Sequence, residues 1–269
     1  MTIKEKKKAV EKIKQKININ PKLGIILGSG LGPFDSEIKN RTTIKYSELP
    51  GFPEPGVKGH KGEIVIGEVS GLCVAVFNGR VHYYEGYSME KVIFPVELLD
   101  GLGVKNAIIT NAGGGINEKY KIGDIVIVRD HINFMGENPL RGSKNFIDLK
   151  NAYNPKFIEL CLKAGKIESI DLKQGIYVGV SGPTYETRAE IDMFRKLGAD
   201  IVGMSTVPEV IAAKRRKIKV LVLSIISNNL NEQYNKQLSH KEVLNQVSKN
   251  KQKVQLLLKT VIGLLKDKL

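Results

Sequence analysis

Several short runs in this chain are continuously apolar rather than apolar at every second position: Leu23–Leu27, Ala107–Ile109 running into Thr110, and Val220–Ile226 with only Ser224 interrupting. A strand with two apolar faces needs cover on both, so such runs belong to a buried sheet and not to a half-wet hairpin. Asp124–Val128, Ile176–Val180 and Asp200–Gly203 read as further strands. Glu63–Val69 and Leu72–Phe77 flank Ser70-Gly71 and predict a hairpin. Between the strands lie helical segments: a Lys-rich one over 4–18, one over 88–102 with Pro95 as an irregularity, and one over 184–197. Thr206-Val207-Pro208-Glu209 fits a capping box opening a helix through Lys217. Ser239-His240-Lys241-Glu242 fits a second, before a long C-terminal helix to about residue 266. This alternation predicts an α/β fold: a single domain over residues 1–269, with a central mixed β-sheet flanked by helices. In such sheets ligands gather beyond the C-terminal ends of the strands, where the glycine-rich turns of this chain fall.

A net charge of +14 raises the question of nucleic acid. Against it, 28 acidic residues are interleaved with 42 basic ones, aromatics are only 6%, and no nucleic-acid module is recognisable. The KEKKK run reads as a solvated helix face. A basic chain still attracts anions. No stretch approaches 18 consecutive apolar residues, and MTIKEKKKAVEKIKQKI has no apolar signal core, so neither a membrane span nor secretion is expected. Cys73 and Cys161, far apart in apolar surroundings, read as buried reduced thiols. The expected location is cytoplasmic.

The residues able to do chemistry sit where strands end. GSGLG at 28–32 offers backbone N–H groups and the Ser29 hydroxyl to an anion. It is no dinucleotide fingerprint, since Pro33 stands where a glycine is needed, and no GK[ST] follows to make a P-loop. A plain tight turn explains it equally. Arg80 and His82 follow a strand at spacing two and point to one side if the strand continues. A guanidinium beside an imidazole suits phosphate, although a surface Arg with a satisfied His is the plainer account. Asn111-Ala112-Gly113-Gly114-Gly115 lets backbone approach a ligand, or is a flexible turn. Tyr185 and Glu186 stand at a strand-to-helix junction. One can stack on a planar base and the other can accept from a purine N1–H, unless Glu186 merely favours a helix start. Met204-Ser205 follows the next strand. Asn228 and Asn229 end the most buried one. An Asn amide can bridge N7 and O6 of a 6-oxopurine, where Asp would suit a 6-aminopurine; ordinary turn chemistry is the alternative. There is no paired-carboxylate set, no Ser-His-Asp elbow and no metal-ligand cluster.

The ordered set GSGLG, GH at 59–60, NGRVHYYEGY, TNAGGG, HIN with NPLRG, SGPTYETRAE, VGMSTVPE and SN resembles the trimeric class of purine nucleoside phosphorylases, over roughly residues 20–250. The resemblance implies that Ser29, His60, Arg80, His82, the Ala112 backbone N–H and Ser205 bind phosphate. Tyr84 and Met204 would contact ribose, and His240 its 5′-hydroxyl. Tyr185 would stack on the base, with Glu186 and Asn228 reading its edge; Asn228, Glu186 and His82 would be the catalytic set. Phe146 would cross a subunit interface of a homotrimer to the neighbouring ribose. SNNL stands where relatives have TN-Lys, which alters the neighbours of Asn228. The implied reaction is phosphorolysis of 6-oxopurine nucleosides such as inosine and guanosine, and their deoxy forms, to base and (deoxy)ribose 1-phosphate. Inorganic phosphate is the co-substrate; no metal, no cofactor, no nucleic acid and no membrane is implied. A methylthioadenosine phosphorylase of the same fold is the nearest rival, opposed by Asn228, Glu186 and His240. A non-catalytic nucleotide- or RNA-binding protein is a more distant one, and the broken GxGxxG counts against a dehydrogenase.

Overall fold

The computed structural model describes residues 3–29, 34–57, 59–230 and 240–269. In chain order it contains α1 (Ile3–Lys16), β1 (Leu23–Ile26), β2 (Lys39–Lys45), β3 (Glu63–Val69), β4 (Leu72–Asn78), α2 (Met89–Val92), α3 (Phe94–Gly101), β5 (Asn106–Gly115), β6 (Ile125–Phe134) and α4 (Pro155–Ile167). These are followed by β7 (Leu172–Val180), α5 (Arg188–Lys196), β8 (Ile201–Gly203), α6 (Val207–Arg215), β9 (Lys219–Asn229), α7 (His240–Lys249) and α8 (Lys251–Lys266). The strands form one mixed sheet in the order β2-β3-β4-β1-β5-β8-β7-β6-β9. The expected α/β class and the hairpin β3–β4 are both present.

The sheet also does something its sequence does not announce. β9 pairs with β6 on one side and with β5 on the other, so β5, β8, β7, β6 and β9 close into a ring. The remaining four strands extend from β5 through β1. Two large apolar layers cover the sheet. One runs under α1, α3 and α6, the other under α4 and α8. On α8 the buried positions are Val254, Leu257, Leu258, Val261, Ile262 and Leu265, the three-and-four spacing of a single helix face.

Several boundaries moved for identifiable reasons. Residues 111–115 are not a turn but the second half of β5, paired with β9 throughout. Their glycines serve packing: a Cβ on Gly113 would lie 2.5 Å from Ile201 Cγ2. The helix read over 88–102 is two, broken at Ile93, with Pro95 in the first turn of the second. The helix read from Thr184 begins at Arg188. Thr187 and Glu190 form its capping box, Thr187 Oγ1 accepting from Glu190 N at 3.2 Å and Glu190 Oε2 from Thr187 N at 2.7 Å. The C-terminal helix is two helices separated at Asn250; Ser239 lies outside the described residues. The capping box read at Thr206 is absent as such, because Thr206 has φ 72° and ψ −50° and its side chain makes no cap hydrogen bond.

The lysines of α1 are solvated as read except Lys6, whose Nζ donates to Glu97 Oε2 at 2.7 Å and to Asp100 Oδ2 at 3.2 Å. Lys7, Lys8, Lys14 and Lys16 are exposed, while Ala9, Val10 and Ile13 are buried. Cys161 is buried and Cys73 only half-buried; both are free, with burial pushing their thiols up to about 12 and about 11. Among the described residues no helix is long and apolar enough to cross a membrane.

Candidate active site

The pocket follows from the strand pairing. Ile109 is the last residue of β5 paired with β1, and Gly114 is the first paired with β8. Between them, the described strands leave residues 110–113 without a neighbour on that side, and the cleft opens there. It is a topological switch point of an α/β sheet, where such folds bind ligands. The cleft encloses about 690 Å3, open solvent at its mouth included. Ser29, Arg80, His82, Tyr84, Ala112, Tyr185, Glu186, Met204, Ser205 and Asn228 all line it.

One end is rich in hydrogen-bond donors. β1 runs into Gly28, where a Cβ would lie 2.6 Å from the Thr110 carbonyl oxygen, so only glycine lets the chain pass this close to β5. Gly28 N also donates to Thr110 Oγ1 at 3.0 Å. Ser29 follows; Gly30 to Pro33 lie outside the described residues. His60 does not line the cleft but stands behind Ser29. Its Nδ1 accepts from Arg80 N at 3.3 Å, which leaves the proton of a neutral ring on Nε2, 2.8 Å from Ser29 Oγ. Ser29 therefore accepts from His60, and its own proton is left for the cleft.

His82 stacks on Tyr84, with ring centroids 4.8 Å apart. Glu85 Oε1 accepts from both the backbone N and Nδ1 of His82, at 2.7 and 2.9 Å. Burial works against the charge of Glu85, but the hydrogen bonds from His82 and from Gly56 N outweigh it and hold the carboxyl below its usual value.

Arg80 departs from the sequence reading. It lines the cleft beside His82, yet it is only 1% exposed and its fork faces the protein. Nη1 lies 2.6 Å from Glu209 Oε2 and donates to Thr206 Oγ1 at 3.3 Å, while Nη2 donates to the carbonyls of Ile26 and Thr110. Among the described residues, only Nε has no partner. The cause is Glu209, 1% exposed on the buried helix α6, which needs a counter-charge.

Tyr185, Glu186 and Asn228 line the same cleft. Tyr185 and Glu186 come from the loop between β7 and α5, ahead of the helix cap, so Glu186 is not a helix-start acid. Tyr185 is 41% exposed. Burial pushes the Glu186 carboxyl up from its usual value, with Glu190 adding to the effect. Asn228 and Asn229 separate here. Asn228 lines the cleft, whereas Asn229 Nδ2 turns to the carbonyl of Tyr120 at 3.4 Å. The register of β5 against β9 slips between Gly113 and Gly114, leaving Ser227 as an extra residue next to Asn228. Ser227 Oγ donates to Asn228 Oδ1 at 2.7 Å, which turns Nδ2 away from it.

Two residues lie apart. Phe146 is fully exposed in a separate surface groove with Asn133, Asn138 and Arg141, and does not reach the cleft of its own chain. His240 opens α7, but its side chain is outside the described residues. Sequence reasoning missed Ser227, Val202 and Val243 as lining residues, and Thr206 and Glu209 as groups behind the cleft. The last two stand in a capping-box pattern and in the VGMSTVPE motif, neither of which places them behind the cleft.

Comparison with known proteins agrees with this fold. The profile of the phosphorylase superfamily matches residues 22–263. Purine nucleoside phosphorylase 1 of Bacillus subtilis is 45% identical over 257 residues, covering 93% of this chain and 95% of that protein. Purine nucleoside phosphorylase of Rattus norvegicus is 40% identical over 256 residues, covering 90% of this chain and 89% of that protein. The crystal structure of Schistosoma mansoni purine nucleoside phosphorylase in complex with inosine aligns with a TM-score of 0.91 at 36% identity, over 97% of this chain and 96% of that one. With both the profile and the relatives matched over nearly its whole length, the chain belongs to the phosphorylase superfamily and, within it, to the purine nucleoside phosphorylases.

Proposed function

We propose that the cleft carries out phosphorolysis of 6-oxopurine nucleosides, ribo- and deoxyribo-, releasing the free base and (deoxy)ribose 1-phosphate. One observation carries this reading. Asn228 and Glu186 line the same cleft as Ser29, Ala112, His82 and Ser205. Phosphate at the donor end lies below the sugar. The C1′–N9 bond breaks with its electron pair going to the base, and a phosphate oxygen bonds to C1′ on the opposite face. Phosphate charge stabilises the cation developing on the sugar. Asn228 and Glu186 stabilise the charge building on the departing purine and so act more strongly on the transition state than on the substrate. Tyr185 stacks on the base; Tyr84 and Met204 touch the ribose. Position 240 is one helical turn before Val243, which lines the cleft, and this supports a His240 contact with the 5′-hydroxyl. Arg80 contributes its field and its Nε rather than a fork.

The protein is further proposed to be a cytoplasmic homotrimer in which Phe146 reaches the ribose of a neighbouring subunit. Support comes from the full exposure of Phe146, away from its own cleft, and the half-exposed Phe134.

The deciding experiment measures base release from inosine, guanosine, adenosine and methylthioadenosine, each with and without inorganic phosphate. Phosphate-dependent release from inosine and guanosine alone is expected. Preference for the adenine nucleosides points to the methylthioadenosine reading. Phosphate-independent release means a hydrolase, and salt-sensitive RNA binding with no release favours a binding protein.

Glu186 supplies a second test. An ionised carboxylate accepts from purine N1–H far more strongly than the neutral acid, and burial raises the pH at which Glu186 takes up a proton. The acid limb of kcat/KM for inosine is therefore expected above the ordinary glutamate range and absent from the residual activity of Glu186→Gln. An acid limb at the usual carboxylate pH, or one surviving in that variant, removes Glu186 from base recognition.

A further inference from the structure

Thr206 sits directly behind the donor end of the cleft, 1% exposed. Its φ of 72° and ψ of −50°, with Val207 N donating to Ser205 O at 2.8 Å, make it the centre of a positive-φ γ-turn, the rare and strained form. For a β-branched residue this backbone is a true outlier, and such strain persists only where surrounding contacts enforce it. The contacts are present. Thr206 Oγ1 receives Asn111 Nδ2 at 2.9 Å and Arg80 Nη1 at 3.3 Å, and lies 3.1 Å from Ser205 Oγ. All three of these partners line the cleft.

The proton count fixes the direction of the last contact. A hydroxyl has two lone pairs and one proton. Arg80 can only donate. Asn111 is set to donate through Nδ2, because its Oδ1 already accepts from Ser224 Oγ at 2.7 Å. Both lone pairs of Thr206 are thereby taken, and its proton goes to Ser205 Oγ. Ser205 then keeps its own proton for the cleft. The buried Tyr177 hydroxyl also lies against Ser205; as a neutral phenol it has a proton to donate to the second lone pair of Ser205 Oγ, which leaves the count unchanged. The same logic holds at Ser29, where His60 Nε2 supplies the proton. The two serines are thus held as donors toward an anion, each by a group that does not itself line the cleft.

We propose that Thr206 is a positioning residue for the phosphate end: its hydroxyl fixes Ser205 as a donor and holds Arg80, and the strained turn sets the two side by side. This rests on the reading of that end as a phosphate site. The test compares Thr206→Val, which keeps the shape and loses the hydroxyl, with Thr206→Ser, which keeps the hydroxyl. Steady-state kinetics are run with phosphate and inosine varied separately, and phosphate binding without nucleoside is read by calorimetry. Thr206→Val is expected to raise the phosphate KM and Kd roughly tenfold to a hundredfold, the size of a lost bond to a charged group. The inosine KM and the kcat at saturating phosphate stay within a few-fold of wild type, and Thr206→Ser restores the phosphate KM. If Thr206→Val does not fold, Thr206→Ala removes the same hydroxyl with less bulk and carries the same expectation. An unchanged phosphate KM, or equal losses for phosphate and inosine, overturns the proposal, as does a Thr206→Ser that shifts as far as Thr206→Val. Wild-type base release that ignores phosphate in the same assay overturns instead the phosphate reading beneath it.

Discussion

Asn228→Ala is expected to lower kcat/KM for inosine by about two to three orders of magnitude, the usual cost of removing one aligned group from a site of developing charge. The magnitude is argued from how the amide is held. Asn228 is 4% exposed, and its Oδ1 is tied to Ser227 Oγ at 2.7 Å. The amide is therefore oriented before a base arrives, and its Nδ2 is aligned without reorganisation as charge moves onto the purine. Alanine removes that group and opens the cleft to water. The phosphate end shares none of these atoms, so phosphate binding to the variant, measured by calorimetry, is expected to match wild type. Turnover of inosine within tenfold of wild type would mean that the base is read elsewhere.

Glu209→Ala is expected to cost about 3–5 kcal/mol of stability, the range seen when one partner of a buried ion pair is removed. In a chain of this size that corresponds to a fall of roughly 6–20 °C in Tm. Arg80 is 1% exposed and donates to Glu209 at 2.6 Å, so the alanine variant strands a guanidinium in the interior. Two backbone carbonyls and a threonine hydroxyl remain around it, but none carries a full negative charge. The cause is testable with a second substitution. Adding Arg80→Met to Glu209→Ala removes the stranded charge and is expected to recover part of the loss, as replacing a whole buried pair often does. A Tm within 3 °C of wild type for Glu209→Ala, read by thermal denaturation at fixed protein concentration, contradicts the account; so does a double variant less stable than the single one.

What could be read in the sequence was what is written locally. Leu23–Ile26 and Lys219–Asn229 declared themselves as buried strands because their cores are continuously apolar, with only Ser224 interrupting, and the glycines at 28 and 113–115 marked where a ligand could approach. Ten of the residues named in advance line one cleft because they all fall at strand ends or in the loops just beyond them. What stayed hidden depends on partners far along the chain. Nothing near Arg80 says that its fork belongs to Glu209, 129 positions later. Thr206 and Glu209 carry the residue types of a capping box, and that local pattern lost to a tertiary demand for a counter-ion. The break at Asn250 has neither proline nor glycine to mark it. The glycines of β5 were misread because close packing against Ile201 and a flexible turn call for the same residue.

The ring of β5, β8, β7, β6 and β9 has a consequence for how the cleft comes into being. Asn106 of β5 pairs with Lys219 of β9, about a hundred positions later, and the pairing runs on to Gly115 and Asn229. Contacts this distant in sequence form slowly, since the intervening chain must be ordered first. A nascent chain that has emerged only through α6 already carries Ser29, His82, Ala112, Glu186 and Ser205, yet it lacks the strand that closes the circle and the amide of Asn228. The cleft is therefore a late product of synthesis, complete only when β9 slots between β5 and β6. Until then the exposed edges of β5 and β6 are open to other chains, which makes the last strand a guard against aggregation as well as a part of the enzyme.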